Sequence, residues 1–469
     1  MSYYAYVCKI DNLRKHPNAD RLQLGECFGN TVCVDMSYAA GEVGIYFPTD
    51  GQLSVEFAEY NNLLRKKDDA GNSIGGYMDP NKRNVTSIRL RGEKSDGLFL
   101  HLDCIAYTKA EVKEGDSFTM LNGHEICQKY IPRTHKQPYE NKVKGNRTRK
   151  RKVPIAPLFV EHADTEQLAY NLGAFRPGDY VEITLKMHGT SQRTGRVPTF
   201  VKYKRSFFDW LLRRPGTPIY DWGYVSGTRR TVLENFDGGY YGSNAFREQH
   251  SKFFEGKLHK GEEVYYEVVG FTDTGASIMG VVSNKKLNDK AFVKQYGEMT
   301  TFSYGCSPTG YMTYEDGSHD ALPQSDFYVY RMTMTNEDGD IVEYTPDYMR
   351  YRCAQMGCKC VPLLWSGIIP ADRRLEECYD CNGEYGTWAV KRKGSAGEWI
   401  KNIAEQYYDG PDPIGKTHVR EGVVCRIVNR PAFTAYKHKN FAFKCLEGIC
   451  KAEETEPDME EAEEVKNEE

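Results

Sequence analysis

The hydrophobic pattern of the first 130 residues predicts a small all-β domain. Short apolar runs alternate with clusters of Gly, Asn and Asp; these runs are Tyr3 to Ile10, Thr31 to Met36, Val43 to Phe47, Ser87 to Leu90 and Gly97 to Leu100. Short strands with frequent turn signals and little helical periodicity are typical of a β-barrel. We therefore expect residues 1–130 to form such a barrel.

The pattern changes after Pro157, where strand-like and helical segments mix. Strand-like runs are Tyr180 to Leu185, Val264 to Val269, Phe327 to Met334 and Gly422 to Ile427, and helical patterns are Asp289 to Gln295, Pro346 to Gln355 and Ala396 to Gln406. Such a mixture favours an α+β domain built on antiparallel sheets. We expect this domain to cover residues 158–450.

Charge is distributed unevenly along the 469 residues, although the formal net charge is only -4. Arg133 to Lys152 has nine Lys or Arg and a single acidic residue, without apolar periodicity, which predicts a linker over residues 131–157. It could be a solubilising connector or a flexible strip that binds a phosphate backbone. The last 18 residues hold ten acidic groups and one Lys, which predicts a disordered acidic tail over residues 451–469.

The apolar runs are too short to cross a membrane, since a spanning helix needs about 20 apolar residues. The N-terminus has no cationic lead before its apolar residues, so we expect a cytoplasmic protein whose 14 cysteines are reduced. Five of them could include a zinc site: Cys353, Cys358, Cys360, Cys378 and Cys381. Their spacing is irregular, so structural Zn²⁺ is the less favoured interpretation and buried free thiols the more favoured.

Candidate chemistry is concentrated in five ordered segments of the second region. A lysine at the end of a strand is usually a surface charge, but Lys186-Met187-His188-Gly189 is followed by four further segments. They are Tyr266 to Phe271 with Glu267, Asp326 to Arg331 with three aromatic residues, Glu421 before Gly422-Val423-Val424, and Lys437-His438-Lys439. Any one segment is weak evidence, whereas the set in this order is specific.

This order resembles that of the covalent nucleotidyltransferase superfamily of ligases and capping enzymes. Their motifs are a nucleophile Lys-x-(Asp/His)-Gly, then Glu, an aromatic strand, Glu and Lys-x-Lys. With His188 in place of Asp, the chain is similar to the nick-sealing RNA ligases, and the resemblance covers residues 158–450. Lys15-His16-Pro17-Asn18-Ala19-Asp20-Arg21-Leu22 also resembles tRNA-binding OB-fold modules. The predicted barrel is then an OB-like nucleic-acid-binding domain, with Lys15, Arg21, Arg89 and Arg91 as candidate phosphate contacts.

The resemblance implies a role for each motif in binding ATP. Lys186 would attack the α-phosphate of ATP, and His188 and Gly189 of the same motif would help to bind the nucleotide. Glu267 would bind the ribose. Tyr330 would stack on adenine, with core packing as its alternative role. Phe327 is the second candidate for the adenine contact, because strand alternation places it on the opposite face from Tyr330.

The remaining motifs would act on the phosphates. Glu421 would bind the divalent metal, Mg²⁺ or Mn²⁺, while Lys437 and Lys439 would neutralise the α-phosphate, with Lys444 as an alternative second cation. Either Arg229 or Arg230 in Val225 to Arg230 would contact the 5′-phosphate of the substrate. Two residues depart from the family pattern: Leu185 precedes the nucleophile where viral nick-sealing relatives often have Glu, and Arg331 follows the aromatic residue where many have Asp.

The resemblance implies an ATP-dependent RNA ligase that joins 3′-OH and 5′-phosphate ends, with nicked duplex as the expected substrate and RNA repair as the expected role. Two alternatives stay open: an RNA-binding protein with a decayed transferase domain, and a DNA ligase or GTP-dependent capping enzyme. The basic, aromatic stretch Lys202 to Trp210 suits single-stranded nucleic acid, although a packed insertion hairpin explains it equally well.

Overall fold

The computed structural model describes residues 3–49, 51–67, 73–130, 153–163, 165–211, 216–233, 236, 244–314, 317–371 and 395–446. Most of the basic linker, Cys378, Cys381 and the acidic tail lie outside these residues. The described chain is α+β, and nearly all its strand pairs are antiparallel. Within it, no helix is long and apolar enough to span a membrane.

The chain divides into two compact units that are interrupted in sequence. One contains Met1–Asn141, Ser283–Glu298 and Phe441–Glu469, and the other contains Lys142–Val282 and Met299–Asn440. The first unit therefore includes two segments from the region expected to form the second domain.

In its described residues, the first unit is built from short strands, three short α-helices and two 3-10 helices (Leu102–Thr108 and Asn284–Leu287). Its strands are β1 (Ala5–Lys9), β2 (Asp11–Lys15), β3 (Leu22–Cys27), β4 (Asn30–Asp35), β5 (Val43–Phe47), β6 (Gly51–Leu53), β7 (Arg65–Lys67), β8 (Ser73–Gly75), β9 (Asn84–Val85), β10 (Ser87–Leu90), β11 (Glu93–Asp96), β12 (Leu98–His101), β13 (Ser117–Phe118), β14 (Met120–Leu121), β15 (His124–Glu125) and β16 (Cys127–Lys129). Helix α1 is Val55–Tyr60. Helices α4 (Lys290–Tyr296) and α7 (Phe441–Leu446) belong to its later segments.

These strands pair into several small sheets, the largest in the order β12-β5-β1-β13. Another sheet has the order β2-β3-β4 and a third has β16-β6-β9, and the described pairings do not form one closed sheet. Alternate residues such as Ile45 and Phe47 point into a core shared with Phe57 and Ile126. The first unit is thus β-rich, as expected, and its OB-like topology stays a prediction.

The segment that resembles OB modules is held by a buried histidine. His16 is 1% exposed, and its Nδ1 accepts a hydrogen bond from the backbone N of Asn18 at 3.1 Å. Its Nε2 therefore donates to the carbonyl of Leu90, at 2.8 Å. Lys15 and Arg21, on either side of His16 in sequence, are exposed at the surface.

The second unit contains two larger sheets. Its strands are β17 (Glu166–Gln167), β18 (Tyr180–Leu185), β19 (Thr190–Lys204), β20 (Thr217–Gly227), β21 (Val232–Leu233), β22 (Glu262–Gly270), β23 (Val282–Ser283), β24 (Met299–Thr300), β25 (Tyr311–Thr313), β26 (His319–Ala321), β27 (Ser325–Thr335), β28 (Ile341–Glu343), β29 (Lys359–Cys360), β30 (Leu363–Ile368), β31 (Gly422–Ile427) and β32 (Thr434–Lys439). Its helices are α2 (Phe207–Leu211), α3 (Ala245–Phe253), α5 (Pro346–Met356) and α6 (Ala396–Glu405).

The smaller of these sheets has the order β17-β32-β31-β18-β30. Ile183 and Val423 lie on its apolar face and pack against Ile400 of α6. Partners in an antiparallel pair share a face, and β31 pairs with β32 as Val424↔Lys437 and Gly422↔Lys439. Lys437 and Lys439 therefore lie together on the opposite, polar face.

The larger sheet has the order β21-β20-β19-β22-β27-β28, with β29 also paired to β27. One face carries Tyr266, Val268 and Phe327, which pack against Phe246 and Phe254 in a buried aromatic core. The other face carries the paired residues Ser191 and Glu267. The alternation of the strands thus separates a core face from a face that can hold polar chemistry.

Candidate active site

The first and last motifs of the series meet at one buried carboxylate. Lys186, which follows β18, places its Nζ 2.5 Å from Oε1 of Glu421, although the two residues are 235 positions apart in sequence. Nζ of Lys439 lies 3.2 Å from the same oxygen, and Nδ1 of His188 lies 3.6 Å from Oε2. The structure therefore brings together the predicted nucleophile Lys186, the predicted metal-binding carboxylate of Glu421, and Lys439 of the Lys-x-Lys motif. Lys437 is buried on the same face of the sheet.

The surrounding cations keep the Glu421 carboxylate charged. Its side chain is 2% exposed, and burial alone would raise its pKa. The charges of Lys186 and Lys439, with His188, outweigh burial and hold the pKa well below its usual range. This site is a preformed cluster of one carboxylate and two ammonium groups.

Two glycines allow the backbone to form this cluster. A Cβ on Gly189 would lie 2.3 Å from the carbonyl oxygen of Val268, so this position admits no side chain while the motif contacts β22. Gly422 has a φ of +145°, and a Cβ there would lie 2.1 Å from the carbonyl oxygen of His438. The backbone N of Lys186 donates to the carbonyl of Gly422 at 2.9 Å, which fixes the nucleophile beside Glu421.

Loop residues that the sequence did not single out support His188. The hydroxyl of Tyr304 accepts a hydrogen bond from the backbone N of His188 at 2.8 Å. Phe302 contacts the His188 ring edge to face, with ring centres 4.5 Å apart, and both aromatic residues also contact the buried ring of His418. No local pattern marks these residues, because each belongs to an irregular segment far from Lys186 in sequence.

Glu267 and Tyr330 lie together on the polar face of the larger sheet. Tyr265 pairs with Arg331 and Tyr266 with Val329, so Tyr330 is the extra residue of a β-bulge. Its hydroxyl is 3.0 Å from Oγ of Ser191, which pairs with Glu267. Burial raises the pKa of Glu267 to about 7, and the charge of Lys186 opposes this shift. Glu267 is therefore electrostatically linked to the Lys186 cluster.

The structure shows where the alternative site residues lie relative to Glu267 and Tyr330. Phe327 packs in the core with Tyr266 and Phe254, on the face opposite Glu267, so it is not part of this group. The charge of Arg229 acts on both Glu267 and Tyr330, whereas Arg230 is exposed. Lys444 belongs to α7 of the other compact unit.

Arg331 has a structural partner. Its guanidinium pairs with Glu343 at 2.9 Å and lies 4.6 Å from the centre of the Tyr265 ring. This departure from the family pattern is thus accounted for by an ion pair between β27 and β28.

A buried ion pair that the sequence also did not indicate joins two segments near Tyr330. Arg193 is 1% exposed, and its Nε donates to the carbonyl of Thr228 at 3.0 Å while Nη1 donates to the carbonyl of Val160. Oε2 of Glu263 accepts from the backbone N of Val160 at 3.0 Å, and Oε1 lies 3.4 Å from Nη1 of Arg193.

These bonds connect segments that reach the candidate site. His162 follows Val160 and packs its ring 5.3 Å from that of Tyr330, and its backbone N donates to the carbonyl of Arg229 at 3.2 Å. The Arg193–Glu263 pair therefore fixes the backbone that carries His162 and Arg229. We infer a positioning role for Arg193.

Arg193→Lys should lower the second-order rate constant for reaction with the nucleotide about tenfold. Lysine keeps the positive charge, but its single ammonium group cannot donate to the carbonyls of both Thr228 and Val160 as the planar guanidinium does. A hydrogen bond to a charged group contributes about 1.5–3 kcal/mol. Adenylylation rates measured against nucleotide concentration, with thermal unfolding as a check on folding, test this. Arg196→Lys on the same strand is the matched control. Equal rates for the two variants would contradict the positioning role.

The described cysteines of the proposed zinc group lie beside one another. Cys353 is buried, and the Cys358 thiol donates to its carbonyl with a sulfur to oxygen distance of 3.6 Å. Hydrogen bonding with the thiols of Cys358 and Cys360, together with burial, raises the pKa of Cys353. Since Cys378 and Cys381 lie outside the described residues, the zinc hypothesis stays a prediction.

The residues at Lys186 fit a divalent metal bound through one carboxylate. Oε1 of Glu421 contacts the ammonium groups of two lysines, whereas its buried Oε2 has the longer contact of 3.6 Å with Nδ1 of His188. A charged carboxylate oxygen is the ligand type that Mg²⁺ and Mn²⁺ prefer. Glu421 is the group here that would hold such an ion.

No protein-family model matches this sequence, and no curated protein sequence matches it. Solved structures of an RNA ligase from Naegleria gruberi are similar in three dimensions. A lysine-to-alanine mutant with ATP and Mn gives a TM-score of 0.53 at 16% identity, covering 96% of this chain and 98% of that chain. The ligase with PPi gives 0.52 at 15% identity, covering 94% and 97%.

A third structure, a lysine-to-methionine mutant with AMP and Mn, gives a TM-score of 0.51 at 15% identity, covering 95% and 98%. At such identity the likeness concerns the fold alone. The chain therefore shares the fold of this RNA ligase over nearly its whole length.

Proposed function

We propose that this protein is an ATP-dependent RNA ligase that joins a 3′-OH to a 5′-phosphate. The observation that carries the proposal is the convergence of Lys186, Glu421 and Lys439 within 3.2 Å contacts. The fold supports it, because the similar ligase from Naegleria gruberi has been solved with ATP, with AMP and with Mn.

In the first step the neutral amine of Lys186 would attack the α-phosphorus of ATP. A bond from Nζ to the α-phosphorus forms, the bond from that phosphorus to the bridging oxygen breaks, pyrophosphate leaves, and the nitrogen loses one proton to solvent. Glu267 would hold the ribose and Tyr330 would stack on the adenine, with Arg229 nearby for the 5′-phosphate of the RNA. Lys437 and Lys439 would neutralise the charge that develops on the phosphates.

A divalent ion held by Glu421 would supply further positive charge to the phosphates. Until nucleotide binds, the contact with Glu421 fixes Lys186 in place. Transfer of AMP to the 5′-phosphate of RNA and attack by the 3′-OH would complete sealing. RNA repair, and a nicked duplex as substrate, follow from the motif set and belong to this proposal.

Incubation with α-labelled ATP or GTP and Mg²⁺, followed by denaturing electrophoresis, tests the proposal directly. An RNA ligase retains label from ATP as a covalent adduct, whereas a capping enzyme retains label from GTP. A decayed transferase retains neither. Sealing of nicked duplexes with RNA or DNA at the 3′-OH end then distinguishes an RNA ligase from a DNA ligase.

The first unit is proposed to be an OB-like module that binds the polynucleotide. Lys15→Ala/Arg21→Ala should leave adenylylation of Lys186 unchanged but reduce sealing severalfold, because both side chains are exposed beside the His16 anchor and could contact phosphates. The matched control, Lys66→Ala/Lys113→Ala, removes two exposed charges elsewhere in the unit. Unchanged sealing by the first variant, measured on a nicked duplex, would remove these two residues from the RNA-binding surface.

A further inference from the structure

Two strands of the larger sheet extend beyond their neighbouring strands as a hairpin. Strand β19 pairs with β22 only as far as Gly195, whereas its pairing with β20 continues to Lys204↔Thr217. Nine residues of β19 therefore project with β20 over roughly 30 Å, at about 3.3 Å per residue. We call residues 196–211 and 216–224 the hairpin arm.

The hairpin arm is basic and aromatic. Residues 196–211 and 216–224 have four Lys or Arg against two Asp, together with eight aromatic residues. Lys202, Lys204 and Arg205 are exposed near the end of β19. The arm is therefore complementary in charge to a polyanion.

A β-bulge at Val201 decides which face of the arm carries the lysines. Phe200 pairs with Tyr220, but Lys202 pairs with Ile219, so one residue of β19 is skipped. The regular register of β20 then places Lys202 and Lys204 on the face that holds Ser191. Without the bulge they would lie on the opposite face. The exposed lysines thus share a sheet face with the candidate active site.

The other face of the arm carries a row of partly exposed aromatic side chains: Phe200, Tyr203, Tyr220, Trp222 and Tyr224. Phe200 contacts Tyr203 and Tyr220 edge to face, with ring centres 5.0 and 6.1 Å apart. At the tip, Phe207 is 70% exposed. Such rings offer surfaces on which unpaired bases stack, independent of base identity.

A segment near the start of the second unit also contacts the arm. The backbone N of Phe200 donates to the carbonyl of Ile155 at 2.7 Å, and the hydroxyl of Tyr220 donates to the carbonyl of Pro154 at 3.2 Å. In sequence, the nine basic residues of Arg133 to Lys152 end immediately before this anchored segment. The segment that directly follows this basic run in sequence is therefore hydrogen-bonded to the arm.

We propose that a single-stranded segment of the RNA substrate wraps around the hairpin arm, so that Lys202 and Lys204 on one face contact phosphates and the aromatic row on the other face stacks on bases. This inference rests on the proposed function, because it assigns a substrate surface to the same enzyme. It accounts for both the bulge that orients the lysines and the exposed rings at the tip. A structural hairpin alone requires neither feature.

The test is fluorescence anisotropy of a labelled, 5′-phosphorylated single-stranded RNA over a range of salt concentrations. Lys202→Ala/Lys204→Ala should weaken binding and reduce the slope of log K against log salt by about 1.4, because each phosphate contact on a single strand contributes about 0.7. Trp222→Ala/Phe207→Ala should weaken binding about tenfold or more with little change in slope, since stacking releases no counterions.

Lys290→Ala/Lys294→Ala on α4 is the matched control for the lysine variant, because both side chains are exposed and lie off the arm. Adenylylation of Lys186 should be normal in all three variants, which separates this proposal from the proposed function. Wild-type protein that binds the RNA but forms no adduct would contradict only the ligase assignment. Unchanged RNA affinity in both arm variants would overturn the arm proposal and favour a purely structural hairpin.

Discussion

Lys186→Ala should abolish formation of the covalent AMP adduct, and with it all sealing of 5′-phosphate ends. The amine is the only group in the proposed first step that bonds to phosphorus, so its removal leaves no alternative nucleophile at that position. The measurement is retention of α-labelled ATP after denaturation, followed by acid treatment, which cleaves a phosphoramidate. Lys401→Ala, on α6 of the same unit, is the control and should be labelled normally.

Two results would contradict the assignment of Lys186 as the nucleophile. Labelling of Lys186→Ala by ATP would show that another residue is the nucleophile. Labelling of the wild type by GTP but not ATP would favour a capping reaction. A pre-adenylylated RNA supplied to Lys186→Ala provides a further check, because the final joining step does not need the lysyl adduct and should retain activity.

Glu421→Ala and Glu267→Ala should each reduce sealing by about a hundredfold or more while leaving the protein folded. One transition-state contact of about 3 kcal/mol corresponds to roughly this factor. The two losses should differ in kind. Glu421→Ala removes the carboxylate that fixes Lys186 and would bind the metal, so higher Mn²⁺ should restore little activity. Glu267→Ala removes the proposed ribose contact, so it should raise the ATP concentration needed for half-maximal adenylylation.

Glu248→Ala is the control for both carboxylate variants, because Glu248 lies on the surface of α3 in an ion pair with Lys252 at 2.7 Å. Near-normal sealing by Glu421→Ala or Glu267→Ala would remove that residue from the site. Thermal unfolding should accompany the assay, since Glu421 is buried among cations and its loss leaves Lys186 and Lys439 without their shared partner.

The sequence by itself determined the motifs and the strands that carry them. Strand periodicity placed Lys186 at the end of β18 and Glu267 within β22, and it separated Phe327 from Tyr330 by face. These features are local, because alternation along one strand fixes which side chains share a face. The order of the motifs then carried the resemblance to nucleotidyltransferases, and the similarity in fold agrees with it.

Tertiary structure decided which of these side chains meet and what supports them. Glu421 reaches Lys186 through the pairing of β31 with β18, and Tyr304 reaches His188 from an irregular loop 116 residues away. The Arg193–Glu263 pair and the bulge at Val201 also depend on contacts between strands. A sequence pattern indicates which side chains share one face of a strand and where the strand ends. It does not record which distant segments pack there, because those contacts depend on strand pairings and side-chain packing between residues that are far apart in the chain.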